Sequence, residues 1–539
     1  MKHMTRAALI AALAPVTASA ATSCADMGSA APEGVTITEA TALPEGDDVS
    51  MVAQCLLRGV MAERTGMDGK SYAIRFELRL PEAWDGRFMH QFNGGNDGEV
   101  KPAVGAGTGV GAPALERGFA VVSSDAGHDG KANPEAGLAG GNLFGLDFEA
   151  RRDYGYGAVA KLHPVALALT EAHYGSAPEH VYGFGTSNGG RHAMVAAERM
   201  PEAFDGLLAG YPGFRLPRAA IQHAWDVQQF RSVAPSLAES FSRDDLSLVA
   251  QKINAACDGL DGLEDGVVSD TTACQRAFDP AVLVCEAGQN SDCLSAAQVA
   301  ALEAIHAGPT NGAGEQLYSD WSWDPGIASG NWRFWKIEST VPPWGMKPII
   351  AVMGAGSLSH VFSTPPTVVE GTPDALEAFL MGYDFDTEPA KVDAVTEAFP
   401  ESPMQVMSPP NADNPTLEGL QEAGGKLVVF HGTADPVFSF NDTARWFEAL
   451  NGNNPDAVDF VRFYAIPGMP HGQGGNSADS ADLLGALIAW VEDGQAPDEV
   501  DTAFRAGNPE AGGNAGAKRV LCPWPEVLRH DGSGFTCAE

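Results

Sequence analysis

The chain has 539 residues, with 70 Asp and Glu against 33 Lys and Arg, giving a formal net charge of −37 at pH 7. Such a surface repels nucleic acid, anionic membranes and polyanionic substrates. The length allows a large core, and a composition 44% hydrophobic and 19% charged is that of a globular protein.

Taken from the N-terminus, Lys2 and Arg6 flank the start of an apolar stretch over 7–16, and Ala18-Ser19-Ala20 follows. This is the pattern of a signal peptide over residues 1–20, with the mature chain starting near Ala21 in the periplasm or the medium. The stretch is too short to span a bilayer, and no other run of about 18 apolar residues occurs. An exported chain with eight cysteines is expected to be disulfide-bonded. Eight cysteines allow 105 pairings, so spacing cannot choose. Local order suggests Cys24–Cys55, Cys257–Cys274, Cys285–Cys293 and Cys522–Cys537. If all pair, no thiol is left to act as a nucleophile.

Residues 87–92 read as a strand, followed by the loop Asn93-Gly94-Gly95-Asn96-Asp97-Gly98. Glycines there let backbone approach a ligand closely. Residues 181–184 read as another strand. Gly185-Thr186-Ser187-Asn188-Gly189 comes next and fits G-x-S-x-G. A helix-forming stretch then runs to Pro201. Strand, tight turn, helix is the setting of a nucleophile elbow, with the serine hydroxyl raised above the sheet. The oxyanion of an acyl-transfer intermediate needs two N–H donors. The amide of Asn188 supplies one, and the early glycine loop supplies the other from Gly95, with Gly94 as the near alternative.

Further along, 257–267 interleaves Asp258, Asp261, Glu264 and Asp265 with glycines. Closely spaced carboxylates on a curling loop suit Ca²⁺ better than Mg²⁺, although the spacing is not that of an EF-hand. The plain alternative is a solvated acidic turn. Trp321, Trp323, Trp332, Trp335 and Trp344 cluster after it. Flat rings suit stacking on a planar acyl group, and they suit core packing equally. Trp332 and Arg333 are the candidate substrate contacts. Arg333 turned into the cleft pairs with a carboxylate; turned outward it stacks on Trp332 or Trp335, the reading the sequence favours.

Residues 426–430 read as a buried strand running into His431-Gly432-Thr433-Ala434-Asp435-Pro436. Residues 461–466 read as another, running into Pro467-Gly468-Met469-Pro470-His471-Gly472. Catalytic groups gather at the carboxyl ends of strands in such sheets. Ser187, Asp435 and His471 thus stand in the nucleophile, acid, histidine order of an α/β-hydrolase. Ser187 attacks, His471 moves the proton, and Asp435 fixes the imidazole tautomer. His431 is the rival base and is expected to shape the Asp435 turn. His90, His128, His163 and His192 lack the strand-loop setting and receive no proton-transfer role. The fold class is α/β, an α/β-hydrolase core over 21–213 and 405–539. A lid domain inserted over 214–404 carries the acidic loop.

These blocks resemble the tannase and feruloyl esterase family. The resemblance runs through Tyr174-Gly175-Ser176-Ala177-Pro178 to Arg191, Phe204-Asp205-Gly206, Arg152-Asp153-Tyr154-Gly155-Tyr156, Gly468-Met469-Pro470-His471-Gly472-Gln473-Gly474-Gly475 and Leu521-Cys522-Pro523-Trp524-Pro525. It implies the same disulfide pattern and a structural Ca²⁺ in the lid. The side chains of Asp258, Asp261 and Asp265 and the carbonyls of Leu263 and Val267 would hold the ion. It also implies an esterase for aromatic acids: hydroxycinnamate and gallate first, phthalate or terephthalate half-esters next. Catalysis itself needs no metal. The chain departs from the family where Thr186 and Gly472 replace a cysteine pair that staples the serine turn to the histidine loop. The expected partner is a small aromatic ester, bound by a monomer or dimer. A catalytically silent aromatic-ester binding protein and a serine peptidase on the same fold are the alternative readings.

Overall fold

The computed structural model describes residues 21–46, 50–106, 111–286 and 291–538. The expected signal peptide lies outside them. Nine strands form one sheet: β1 (Val35–Leu43), β2 (Gln54–Thr65), β3 (Ser71–Pro81), β4 (Arg87–Phe92), β5 (Ala120–Ser124), β6 (His180–Thr186), β7 (Gly206–Gly210), β8 (Lys426–Gly432) and β9 (Val461–Ile466). Their order is β1-β2-β3-β5-β4-β6-β7-β8-β9. The first pairings, through β3 and β5, are antiparallel, and every pairing from β5 to β9 is parallel. This is the arrangement of an α/β-hydrolase.

The parallel strands are short apolar runs because both of their faces are covered. Adjacent residues go to opposite sides, as the two-residue period of a strand requires. Leu207 and Val429 join Ala193, Phe440 and Phe447 on one face. Leu208 and Val428 join Leu483, Leu487 and Trp490 on the other. The helix Asn188–Arg199 follows β6 directly and packs on the first face.

Between β7 and β8 the chain leaves the sheet. It runs through helices that include Leu216–Val233, Arg243–Cys257, Ala296–Ala307 and Gly330–Lys336, with no named strand among the described residues. These helices have their own core, around Val227, Phe230, Ile253, Leu302, Trp332 and Leu376. Tyr154 and Phe438, from the sheet-bearing part, belong to the same cluster. Buried Arg151 ties the two parts together, donating to the carbonyls of Gly145, His360 and Ser363 and to the Thr364 hydroxyl. The insertion is therefore packed onto the sheet's carboxyl end.

All four disulfides suggested by local order are formed: Cys24–Cys55, Cys257–Cys274, Cys285–Cys293 and Cys522–Cys537. No described cysteine is free. Among the described residues no helix is long and apolar enough to cross a membrane.

Candidate active site

Ser187 sits between β6 and the helix Asn188–Arg199 with φ 61° and ψ −124°. A non-glycine residue rarely adopts this conformation, and a tightly packed turn must hold it. The flanking glycines make that turn possible. A Cβ on Gly185 would stand 2.5 Å from the Gly189 backbone, and one on Gly189 would stand 2.4 Å from the Phe92 carbonyl. The Ser187 amide donates to Gly210 at 2.9 Å, which fixes the turn against the end of β7.

His471 Nε2 lies 2.8 Å from Ser187 Oγ, and His471 Nδ1 lies 2.8 Å from Asp435 Oδ2. Asp435 is buried and also receives the amides of Val437 at 2.7 Å and Phe438 at 3.1 Å on Oδ1. Burial alone would raise its pKa. The charge of His471 and the hydrogen bonds from His431 and His471 outweigh that and hold the carboxyl below the ordinary range. An ionised Asp435 accepts the hydrogen bond of His471 Nδ1–H, which keeps the proton on Nδ1 and leaves Nε2 free to accept the serine proton. Three rings stand edge-on around His471: Tyr211 at 4.9 Å, Trp335 at 5.0 Å and Phe438 at 5.3 Å. They keep the base in a largely dry setting, where its electrostatic interactions are strong.

The expected structural part of His431 is met by a specific geometry. Its ring is fully buried, with Nδ1 2.9 Å from the Thr443 hydroxyl. Nε2 is 3.1 Å from the Phe438 carbonyl and 3.3 Å from Asp435 Oδ2. It touches the acid and not Ser187. His90, His128, His163 and His192, which were given no proton-transfer role, are buried elsewhere. His90 and His163 face each other at 3.3 Å. His128 stacks on Phe144. His192 meets Asp97 at 3.1 Å.

Asn188 opens its helix, where backbone amides have no intrahelical partner. Gly94 and Gly95 line the same cavity as Ser187 and Asn188. Gly95 has φ +66°, and a Cβ on Gly94 would lie 3.8 Å from the Ser187 Cβ. The glycine loop therefore faces the nucleophile. Asp97, which the sequence did not single out, secures it. Its Oδ2 accepts from the Asn188 side chain at 2.8 Å, and burial raises its carboxyl well above the ordinary range.

The cavity over Ser187 has a volume of about 370 Å³. Trp335, Trp344, Ile350, Met353, Val437 and Phe438 are among its walls. Two sequence candidates are corrected here. Trp332 and Arg333 do not line it. Trp332 packs edge-on against Phe230 in the insertion's own core. Arg333 is buried, donates to Glu338 at 2.7 Å and caps the Phe241 carbonyl at 2.8 Å. Neither outward stacking nor a cleft position applies to it. Trp335 and Trp344 line the cavity where a contact from Trp332 was expected.

Tyr211 was also missed. It follows β7 directly, the strand-end setting that located Asp435 and His471. It has φ +33°. Burial pushes its phenol up to about 12, and a hydrogen bond with Thr186 opposes that rise. A Cβ on Gly472 would meet only the Tyr211 hydroxyl, at 3.8 Å. Tyr211 thus touches both the serine turn, through Thr186, and the histidine loop, through the His471 ring.

In the acidic loop, Asp258 Oδ1 accepts from the amides of Asp265 and Gly266, and Asp261 accepts from those of Leu263 and Ser269. Asp265 Oδ2 pairs with Arg519 at 2.6 Å. Asp261, Leu263, Asp265 and Val267 line a cavity of about 50 Å³. The donor set is all oxygen, as a hard cation requires. Among the described residues no group of three or more His, Cys, Asp or Glu stands close enough to form a metal cluster.

Comparison with known proteins agrees with this geometry. The family model described as "Tannase and feruloyl esterase" matches residues 59–539. The chain belongs to this family. It is a carboxylic ester hydrolase on an α/β-hydrolase fold. A mono(2-hydroxyethyl) terephthalate hydrolase of Piscinibacter sakaiensis is 38% identical over 531 residues, covering 93% of this chain and 86% of that protein. A probable feruloyl esterase of Arthroderma benhamiae is 28% identical over 86% of this chain and 82% of its own length. The crystal structure of feruloyl esterase B from Aspergillus oryzae superposes with a TM-score of 0.73 at 23% identity, covering 95% of this chain and 100% of that one. At that identity the likeness speaks for the fold.

Proposed function

We propose that this family member is an exported serine esterase that hydrolyses esters of aromatic acids through an acyl-enzyme. The hydrogen-bonded line from Ser187 through His471 to Asp435, opening under an aromatic wall, carries this reading. Ser187 Oγ attacks the ester carbon while His471 Nε2 takes its proton. The oxyanion is stabilised by the amides of Asn188 and Gly95. The C–O bond to the alcohol breaks, and the alcohol leaves with the proton from His471. Water then repeats the sequence on the acyl-enzyme, delivering the free acid and restoring Ser187.

Residues 214–404 act as the lid that selects the acyl group. Trp335, Trp344 and Phe438 supply flat surfaces for an aromatic ring. No Lys or Arg is among the described residues lining the cavity. Burial pulls His223 in that wall down to about 3, so it carries no charge at neutral pH. An acyl group with a free carboxylate would find no Lys or Arg to pair with there, which disfavours it. Hydroxycinnamoyl and galloyl esters are therefore the favoured substrates. The 38% identity to a terephthalate half-ester hydrolase favours the half-ester as the second reading.

Ca²⁺ is proposed as a structural ion on the loop of Asp258, Asp261, Leu263, Asp265 and Val267, with no part in the proton transfers. Export is supported by four formed disulfides and by the apolar N-terminal stretch. A silent binding protein would not need a serine, histidine and aspartate held in a hydrogen-bonded line. A peptidase differs in its leaving group, so a matched amide separates it. The test is kcat/KM on methyl ferulate, methyl gallate, a terephthalate half-ester, a short aliphatic ester and one matched amide. Preference for an uncharged aromatic ester is expected. Preference for the aliphatic ester or the amide would overturn the proposal.

A further inference from the structure

The short helix Gly330–Lys336 stands between the insertion's core and the loop that carries His471. Its back is fixed by three side chains. Trp332 fills the insertion's core, and Arg333 caps the Phe241 carbonyl. Lys336, 1% exposed, is ion-paired with the fully buried Asp226 of the helix Leu216–Val233. Its ammonium also lies over the Trp321 ring, 4.4 Å from the centre. Shifting the helix would part a buried ion pair and leave its charges bare, which is costly, so the helix resists displacement. Asn331 and Trp335 are four residues apart and therefore neighbours on another face of the helix. Both meet the base. Asn331 Nδ2 donates to the His471 carbonyl at 3.0 Å, and the Trp335 ring stands edge-on to the imidazole at 5.0 Å.

The histidine loop needs support from outside. Beyond His471 the chain turns through Gly472 at φ +98° and Gly474 at φ +125°. Glycine loses more conformational freedom on ordering than any other residue. Gly475 is gripped on both of its backbone groups. Its amide donates to Glu510 Oε2 at 2.8 Å, and its carbonyl accepts from Asn508 Nδ2 at 2.8 Å. Glu510 Oε1 accepts from the Gly330 amide at 2.7 Å, one of the first-turn amides that have no partner inside a helix. One carboxylate thus ties the first residue of the helix to the histidine loop, and Asn331 ties the next residue to His471 itself.

We propose that this helix sets the position of the catalytic base. Asn331 is a positioning residue for His471, Glu510 secures the same contact, and the face that turns Trp335 into the Ser187 cavity also aligns the imidazole. The proposal rests on the esterase reading of Ser187 given above. Asp435 orients the His471 ring, whereas Asn331 holds the main chain from which that ring projects. Proton transfer from Ser187 depends on the 2.8 Å contact with His471 Nε2, and a small misplacement of a catalytic group costs rate steeply. Loss of the Asn331 bond therefore slows every ester alike. Loss of a substrate contact would instead raise KM or act on one acyl group.

The test measures kcat and KM on methyl ferulate and on a short aliphatic ester. Asn331→Leu removes the donor, and kcat for both esters is expected to fall together by about tenfold or more, with KM within about twofold. Asn331→Gln keeps an amide donor and is expected to recover part of kcat. Glu510→Ala, at an exposed position, reads the same tie if Asn331→Leu fails to fold. It is expected to lower kcat for both esters by about threefold, and the double variant is expected to lose less than the product of the two, as for groups that serve one loop. An unchanged kcat in the folded single variants, an effect on KM alone, or a loss confined to methyl ferulate would overturn the positioning role and leave the esterase reading standing. No turnover of either ester by wild type, or turnover that survives Ser187→Ala, would overturn the esterase reading beneath it.

Discussion

The buried ring of His431 lies 3.3 Å from Asp435 Oδ2, the same oxygen that meets His471 Nδ1 at 2.8 Å. The acid is thus held by two histidines. Only one of them reaches Ser187. Replacing His431 removes a donor from the carboxylate without touching the substrate cavity. His431→Leu is expected to lower kcat about tenfold or more while KM stays within about twofold, the signature of lost transition-state stabilisation. His431→Gln, which keeps a donor, is expected to recover part of it. A change confined to KM would place His431 in substrate binding instead.

Trp335 and Trp332 are three residues apart on one helix, yet they serve different surfaces. Trp335 lines the Ser187 cavity, and Trp332 fills the insertion's core. Trp335→Ala is expected to lower kcat/KM for aromatic esters by about 10- to 100-fold, equivalent to roughly 1.5–3 kcal/mol of lost apolar contact. Trp332→Ala is expected to lower stability by about 3–5 kcal/mol with little change in KM for the folded fraction. Steady-state kinetics and thermal melts on both variants check the assignment. The reverse pattern would contradict it.

Burial pulls His128, His163 and His306 down to about 4. Each is neutral in the native state and takes a proton on unfolding between about pH 6.5 and pH 4. The unfolded chain binds more protons in that window, so stability falls as pH falls through it. Each group contributes roughly 3 kcal/mol at full effect, at about 1.36 kcal/mol per unit. His306 stacks on Trp323 at 3.6 Å. His306→Phe keeps a ring there and is expected to flatten the melting temperature measured from pH 7 to pH 4. An unchanged slope would show that His306 is not one of the groups responsible.

If Ca²⁺ occupies the acidic loop, chelation is expected to lower the melting temperature by several degrees. Ligand at 100 times its Kd adds about 2.7 kcal/mol to stability. Asp258→Asn is expected to lose the response. A melting curve identical with and without chelator would remove the ion from the account.

The fold and the serine, histidine and aspartate were legible because each rests on a local signal. Short apolar strands end in turns that carry Ser187, Asp435 and His471, and the order of the three selects the fold. The disulfides join cysteines adjacent in sequence order, so local order sufficed. Trp332 and Arg333 were misplaced for a physical reason. Which face of the helix Gly330–Lys336 meets the cleft is set by how it packs on Phe230 and the Phe241 carbonyl, both far away in sequence. Asp97 could not be seen for the same reason, since its partner Asn188 lies 91 residues on. Tyr211 could have been found, because it follows β7 as Asp435 follows β8.

The central claim is that Ser187 carries the acyl group. The most direct measurement is the intact mass of enzyme quenched during turnover of methyl ferulate, followed by peptide mapping. The account predicts one feruloyl adduct on the peptide holding Ser187, absent from Ser187→Ala, which should also lose at least about 10³-fold in kcat. Full turnover with no adduct on that peptide, or an adduct that persists in Ser187→Ala, would contradict it.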